Sequence, residues 1–364
     1  MQTNSKDQPW IYSKGFDGFF ILLPPFLVLA VLLLFPSFWK PMTQLSPAMW
    51  VVLILLVDVS HVYSTLYRTY FDPEMITNHK SLLTNVPLIV LFASIIVFSI
   101  SPLWFWRIMA YIAVFHFIRQ QYGLMRIYSR KDNFPHFFSI IDTLAIYTAT
   151  IYPILSWHLS GPKTFSWFVA DDFLFAPIHI SDTVFFISYL LILGMFIVKE
   201  SYSVYRYGRF NLPKNLLLFG TVLSWYFGIV FFNSDIAFTA LNVVSHGIPY
   251  MALIWVHGYK KTASLSTVNR SFLRIVFSKQ GVFLFVLIIA GFAFVEEGIW
   301  DALVWNEHNM IFKVFHFLPQ VTSHELLSFI VPLLSLPQIT HYVLDGYIWK
   351  LRDDNYNWRD STLI

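Results

Sequence analysis

The stretch 83-LTNVPLIVLFASIIVFSIS-101 contains no charged side chain. A helix needs about 20 mostly apolar residues to cross the hydrocarbon core of a bilayer, and this run supplies them. Working outward, nine further runs of the same character occur at roughly 18–35, 49–68, 103–125, 137–157, 182–199, 214–232, 236–258, 281–298 and 324–349. Composition agrees: 57% of the 364 residues are hydrophobic and 12% charged, against about 25% charged in a soluble domain. The expected fold is all-α, a polytopic transmembrane helical bundle of about ten spans. It forms a single integral-membrane domain over 1–364, in the inner or plasma membrane if the source is bacterial.

Pro24-Pro25 predicts a kink in the first run, because proline lacks the N–H that would continue the helix. Gly247 and Pro249 predict a local break in the eighth. The stretch 159–181 reads as a loop. Residues 1–17 are polar and meet no small-residue cleavage site, so the first run is expected to stay in the protein. Basic residues follow the even-numbered runs: Arg68 and Lys80; Arg126, Arg130 and Lys131; Lys199, Arg206, Arg209 and Lys214; Lys260, Lys261, Arg270, Arg274 and Lys279; Lys350, Arg352 and Arg359. Lys6 and Lys14 add to them at the N-terminus, while the opposite side holds only Lys40, Lys163 and Lys313. By the positive-inside rule both termini are expected in the cytoplasm.

The chain has no cysteine, which removes disulfides, thiolate metal sites, iron–sulfur clusters and cysteine nucleophiles together. Any metal must be held by histidine or oxygen ligands. The net charge of +3 comes with no basic stripe, so a nucleic-acid partner is not expected.

Ionisable groups inside a bilayer are costly and usually face the bundle interior. Asp58 and His61 lie three apart on one helical face, and His341 and Asp345 four apart on another. The fourth run carries His116, Arg119, Gln120 and Gln121; the fifth carries Asp142; the eighth carries Asn242, His246 and His257. At about 1.5 Å per residue, His61 sits about 18 Å below the outer end of its run, His116 about 20 Å and His341 about 25 Å. His246 falls near the midplane. Most of these groups share the cytoplasmic half, and scattered structural histidines have no reason to share a depth. Each also has a plainer reading: a hydrogen-bonded pair for Asp58 and His61, an interfacial position for His257, a cap or a bridge to Arg119 for Asp142. Histidines in loops, among them His79 and His179, are expected to be solvated.

A shared layer of imidazoles and carboxylates suits iron, zinc or manganese. The expected ligands are His61, His116, His246 and His341, with His257 as a further candidate and Asp58 or Asp345 as ligand or outer hydrogen-bond acceptor. Arg119, Gln120 and Asp142 are candidate catalytic or substrate-positioning groups.

The wide spacing of His61, His116 and His246 resembles that of the bacteriorhodopsin-related Brp/Blh family of β-carotene-cleaving membrane proteins. Tyr250 stands where that family's second histidine, four residues on, would be. The resemblance implies one or two iron ions and oxidative cleavage of a polyene. Membrane desaturases and alkane hydroxylases are similar in general plan only, since no two histidines lie within four residues of each other. The expected function is iron-dependent oxidation of a membrane lipid or other apolar substrate, with a possible electron-donor partner. The alternatives are a proton-coupled transporter using the same Asp and His residues, and a non-catalytic haem- or lipid-binding protein.

Overall fold

The computed structural model describes residues 8–42, 44–176, 182–264 and 271–349. His179, Lys6, Arg270, Lys350, Arg352 and Arg359, used above, lie outside them. All regular structure among the described residues is helical. The longer elements are α1 (Lys14–Leu22), α2 (Pro24–Leu34), α3 (Pro47–Arg68), α4 (Lys80–Ile100), α5 (Pro102–Tyr128), α6 (His136–Leu159), α7 (Asp182–Tyr207), α8 (Leu212–Phe231), α9 (Asp235–Ser264), α10 (Val282–Trp305), α11 (His324–Leu334) and α12 (Leu336–Ile348).

Seven of these helices are long and apolar enough to cross a membrane, and nine if each of two bent pairs counts as one span. Helix α5, over the expected fourth run, is not among them; Arg107, His116, Arg119, Gln120 and Gln121 lower its hydropathy. The pair α1–α2 bends by 53° at Leu23, ahead of the two prolines, as the sequence predicts. The expected tenth span is also two helices, α11 and α12, bent by 41°. Pro337, second residue of α12, cannot donate to the carbonyl four residues back and so forbids continuation through Ser335.

In contrast, α9 runs unbroken through Gly247 and Pro249. Pro249 removes the bond that Ser245 O would receive. The Gln121 amide lies 3.5 Å from that oxygen, and Gln120 Nε2 donates to His246 O at 3.0 Å. One side-chain amide on a neighbouring helix, that of Gln121, thus lies beside the carbonyl that lost its backbone donor, while Gln120 adds a bond to the next one.

Contacts gather into two compact units, each discontinuous in sequence: Met1–Gln44 with Val114–Pro249, and Leu45–Ala113 with Tyr250–Ile364. The division falls inside two continuous helices, α5 and α9.

In the first unit α6 packs on α7 and α8, and α8 packs on α2. The α2–α8 crossing is close: a Cβ built on Gly220 would lie 2.8 Å from Pro25 Cγ, on a rigid ring that cannot swing aside. Gly220→Val is therefore expected to destabilise the unit by about 1–3 kcal/mol, the range for overpacking. Thermal unfolding in detergent checks this, and an unchanged midpoint would refute the close approach. Between α6 and α7 the chain folds back on its aromatic residues, with Trp157 and Phe173 stacked at 4.0 Å. Asp172 closes this loop by accepting from the Phe168 and Val169 amides. Burial raises its pKa above the ordinary carboxylate value, although those same amides pull it down.

In the second unit α10 packs along α3, while α4 packs against α11 and α12. Two apolar clusters hold it, Met75–Leu83–Leu344–Ile348 and Leu55–Ala293–Phe312. Tyr63 on α3 donates to Glu296 on α10.

Candidate metal centre

His61 follows a π-helical stretch of α3, Val51–Val59. The wider turn changes which way the following side chains project, a common device at functional sites. His61 Nδ1 lies 3.3 Å from Val57 O. A carbonyl oxygen only accepts, so Nδ1 carries the ring proton and Nε2 carries the lone pair. Asp58 Oδ1 lies 3.7 Å from the same Nδ1, on the face away from Nε2. In the same unit His341, on α12, holds its Nδ1 2.7 Å from Thr65 Oγ1 and 3.8 Å from Asp345 Oδ1. The His61 and His341 rings meet edge to face, centroids 5.1 Å apart.

The other unit holds a second pair. His116 on α5 and His246 on α9 also meet edge to face, with centroids 4.9 Å apart. Phe117 lies flat on the His246 ring at 3.6 Å. With the Gln120 bond to its carbonyl, His246 is fixed from both sides.

One ring nitrogen from each of His61, His116, His246 and His341 lies within 4.8 Å of the other three, and this four-histidine group can hold a metal ion. All four are buried, at 1%, 4%, 1% and 1% exposure. Ligands about 2.1 Å from one ion stand about 3.4 Å apart in a tetrahedron and about 4.2 Å apart when opposed. Four nitrogens within 4.8 Å of one another are compatible with one shared ion. The donor set is four nitrogens with carboxylates behind two of them, the outer-shell pattern that orients metal-binding imidazoles.

The remaining sequence candidates fall elsewhere. Asp58 and Asp345 face Nδ1 atoms, where an outer acceptor belongs. His257 is outside the group: its Nε2 lies 2.6 Å from Arg68 Nη1, and a guanidinium only donates, so that lone pair is engaged. Arg119 donates to the Tyr147 hydroxyl at 3.0 Å and covers the Tyr122 ring, on an exposed face. Gln120 braces His246 through its backbone. Asp142 belongs to a buried charge cluster, bonded to Lys199 and 3.5 Å from Lys214.

Sequence reasoning missed Thr65 and Tyr250 as neighbours of His341. Thr65 lies four residues after His61 and Tyr250 four after His246, so helical spacing marked both positions. What it did not show was which distant side chain they meet. Comparison with family models, with curated proteins and with solved structures found no match for this chain.

Proposed function

We propose that this is a membrane-embedded metal enzyme that oxidises an apolar lipid or polyene at an iron ion held by His61, His116, His246 and His341. The observation that carries the reading is the group of four buried imidazole nitrogens within 4.8 Å of one another. Imidazole suits iron, copper, nickel and zinc alike; iron and copper both give redox work to such a site, and the resemblance to iron-dependent polyene-cleaving proteins favours iron. Iron supplies the one-electron chemistry through which O2 reacts with a closed-shell hydrocarbon. The protein's own part is to hold four neutral imidazoles, fix their tautomers and keep bulk water out. An apolar substrate reaches such a site from the bilayer rather than from water.

Two reaction types suit this class of substrate, and their balances differ. Cleavage of a carbon–carbon double bond by O2 places one oxygen atom in each of two carbonyl products and needs no outside electrons. Hydroxylation sends one oxygen atom into the product and one to water, desaturation sends both to water, and each draws two electrons from a donor partner. The resemblance to polyene-cleaving proteins favours the first.

A proton-coupled carrier is the second reading, favoured by the buried cluster of Asp142, Lys199, Glu200 and Lys214. Metal content separates the two. Mass spectrometry and a visible spectrum are taken on detergent-purified protein, beside a His61→Ala/His341→Ala variant. About one iron per chain, without a haem band and lost in the variant, supports the enzyme. Folded protein that binds no metal under metal-replete conditions sinks it.

A further inference from the structure

We infer that Asp345, acting through Tyr250 and Thr65, fixes the ring proton of His341 on Nδ1 and so turns a deprotonated Nε2 to the metal. The inference rests on the reading of the four histidines as a metal centre. It makes Asp345, Tyr250 and Thr65 positioning residues.

A count of protons along four side chains of one unit leads to this assignment. Asp345 Oδ1 accepts from the Tyr250 hydroxyl at 2.6 Å and from Trp349 Nε1 at 3.2 Å. A phenol has one proton, and here it points to the carboxylate. The Tyr250 oxygen, 2.8 Å from Thr65 Oγ1, must then accept from the threonine hydroxyl. Threonine also has one proton, which now points to Tyr250. Its oxygen meets His341 Nδ1 at 2.7 Å as an acceptor, so Nδ1 must carry a hydrogen.

The reverse order requires a protonated Asp345 that donates to Tyr250; with Asp345 ionised, as the Tyr250 and Trp349 donors to its Oδ1 favour, it fails. If Thr65 donated to a bare Nδ1, the Thr65 and Tyr250 oxygens would face each other at 2.8 Å with no proton between them. Thr65 and Tyr250 are buried at 5% and 1% exposure, so water does not offer an alternative set of bonds. The Asp345 carboxylate, 3.8 Å from Nδ1, favours a proton at that end of the ring as well. His61 reaches the same tautomer by a shorter route, through the Val57 carbonyl. The two rings in this unit thus present the same nitrogen, one oriented by the backbone and one by a relay of hydroxyls.

Nitrogen-15 NMR of histidine rings in the metal-free, full-length protein tests the assignment, with His341→Gln identifying the His341 signals. The wild type is expected to show neutral His341 with its hydrogen on Nδ1. In Tyr250→Phe and Thr65→Val the Nε2–H form is expected to appear. Ferrous-iron affinity should fall roughly 10–100-fold in both, the usual cost of an outer partner, with the thermal unfolding midpoint retained. A wild-type ring carrying a hydrogen on Nε2 overturns the inference, as do variants whose tautomer and iron affinity stay unchanged. Should Tyr250→Phe fail to fold, the wild type and Thr65→Val decide it. A wild type with Nδ1–H that binds no iron supports the proton assignment and overturns the metal reading.

Discussion

Alanine at any one of His61, His116, His246 or His341 is expected to abolish metal retention, whereas His257→Ala keeps it. Each of the four gives one of the clustered nitrogens, so a single replacement removes a quarter of the donors. The gap opens among buried side chains, where a replacement water would have few polar partners. The loss should exceed the roughly 10–100-fold that removing an outer partner costs. His257 differs because it lies outside the four clustered nitrogens and its Nε2 is held by Arg68.

Chelator competition with ferrous iron on the purified chain measures the affinities, and thermal unfolding with and without metal gives a second readout. An ion that binds only the folded state at 100 times its dissociation constant adds about 2.7 kcal/mol. The wild type and His257→Ala should show that metal-dependent gain, and the four single variants should not. Wild-type affinity in any of the four would remove that residue from the centre. Equal loss in His257→Ala would show that the sequence's wider ligand set was the better one.

The sequence exposed this site to an uneven extent, and the unevenness has a physical cause. Helical periodicity is local, so it put Asp58 beside His61 and Asp345 beside His341, and the structure has both pairs within 4 Å. It also marked the four histidines as unusual, since ionisable groups in apolar runs need a reason to be there. Contacts between helices are another matter. Thr65 and His341 are 276 positions apart, and Arg68 and His257 are 189 apart. No local pattern announces them, so His257 and the four clustered histidines looked alike.

Proline misled in one direction only. Pro24-Pro25 and Pro337 bend their helices, but Pro249 does not, and the Gln121 amide lies beside the carbonyl it leaves without a backbone donor. A proline in the sequence declares the missing donor; the amide that replaces it comes from elsewhere in the chain.

Lys214→Met is expected to cost about 3–5 kcal/mol of stability, the range for breaking a buried ion pair from one side. From the ends of their apolar runs, Lys199 and Lys214 read as ordinary loop cations. Instead Lys214 is fully buried and meets Glu200 and Asp132 at 2.8 Å each, with Asp142 at 3.5 Å. Lys199 bonds to Asp142 and Glu200 in turn. Two ammonium groups thus serve three carboxylates drawn from α6, α7 and the loop before α6. Methionine keeps the length of the side chain and removes the charge, leaving three carboxylates with one cation. Adding Asp132→Asn to that variant removes one orphaned carboxylate and should recover part of the loss, a coupling that a double-mutant cycle measures. Thermal unfolding in detergent is the readout. A loss within the ±0.5 kcal/mol of an ordinary surface substitution would mean that the cluster does not hold these helices together. Its buried charges would then need another purpose, and the proton-coupled carrier would become the stronger reading of the first unit.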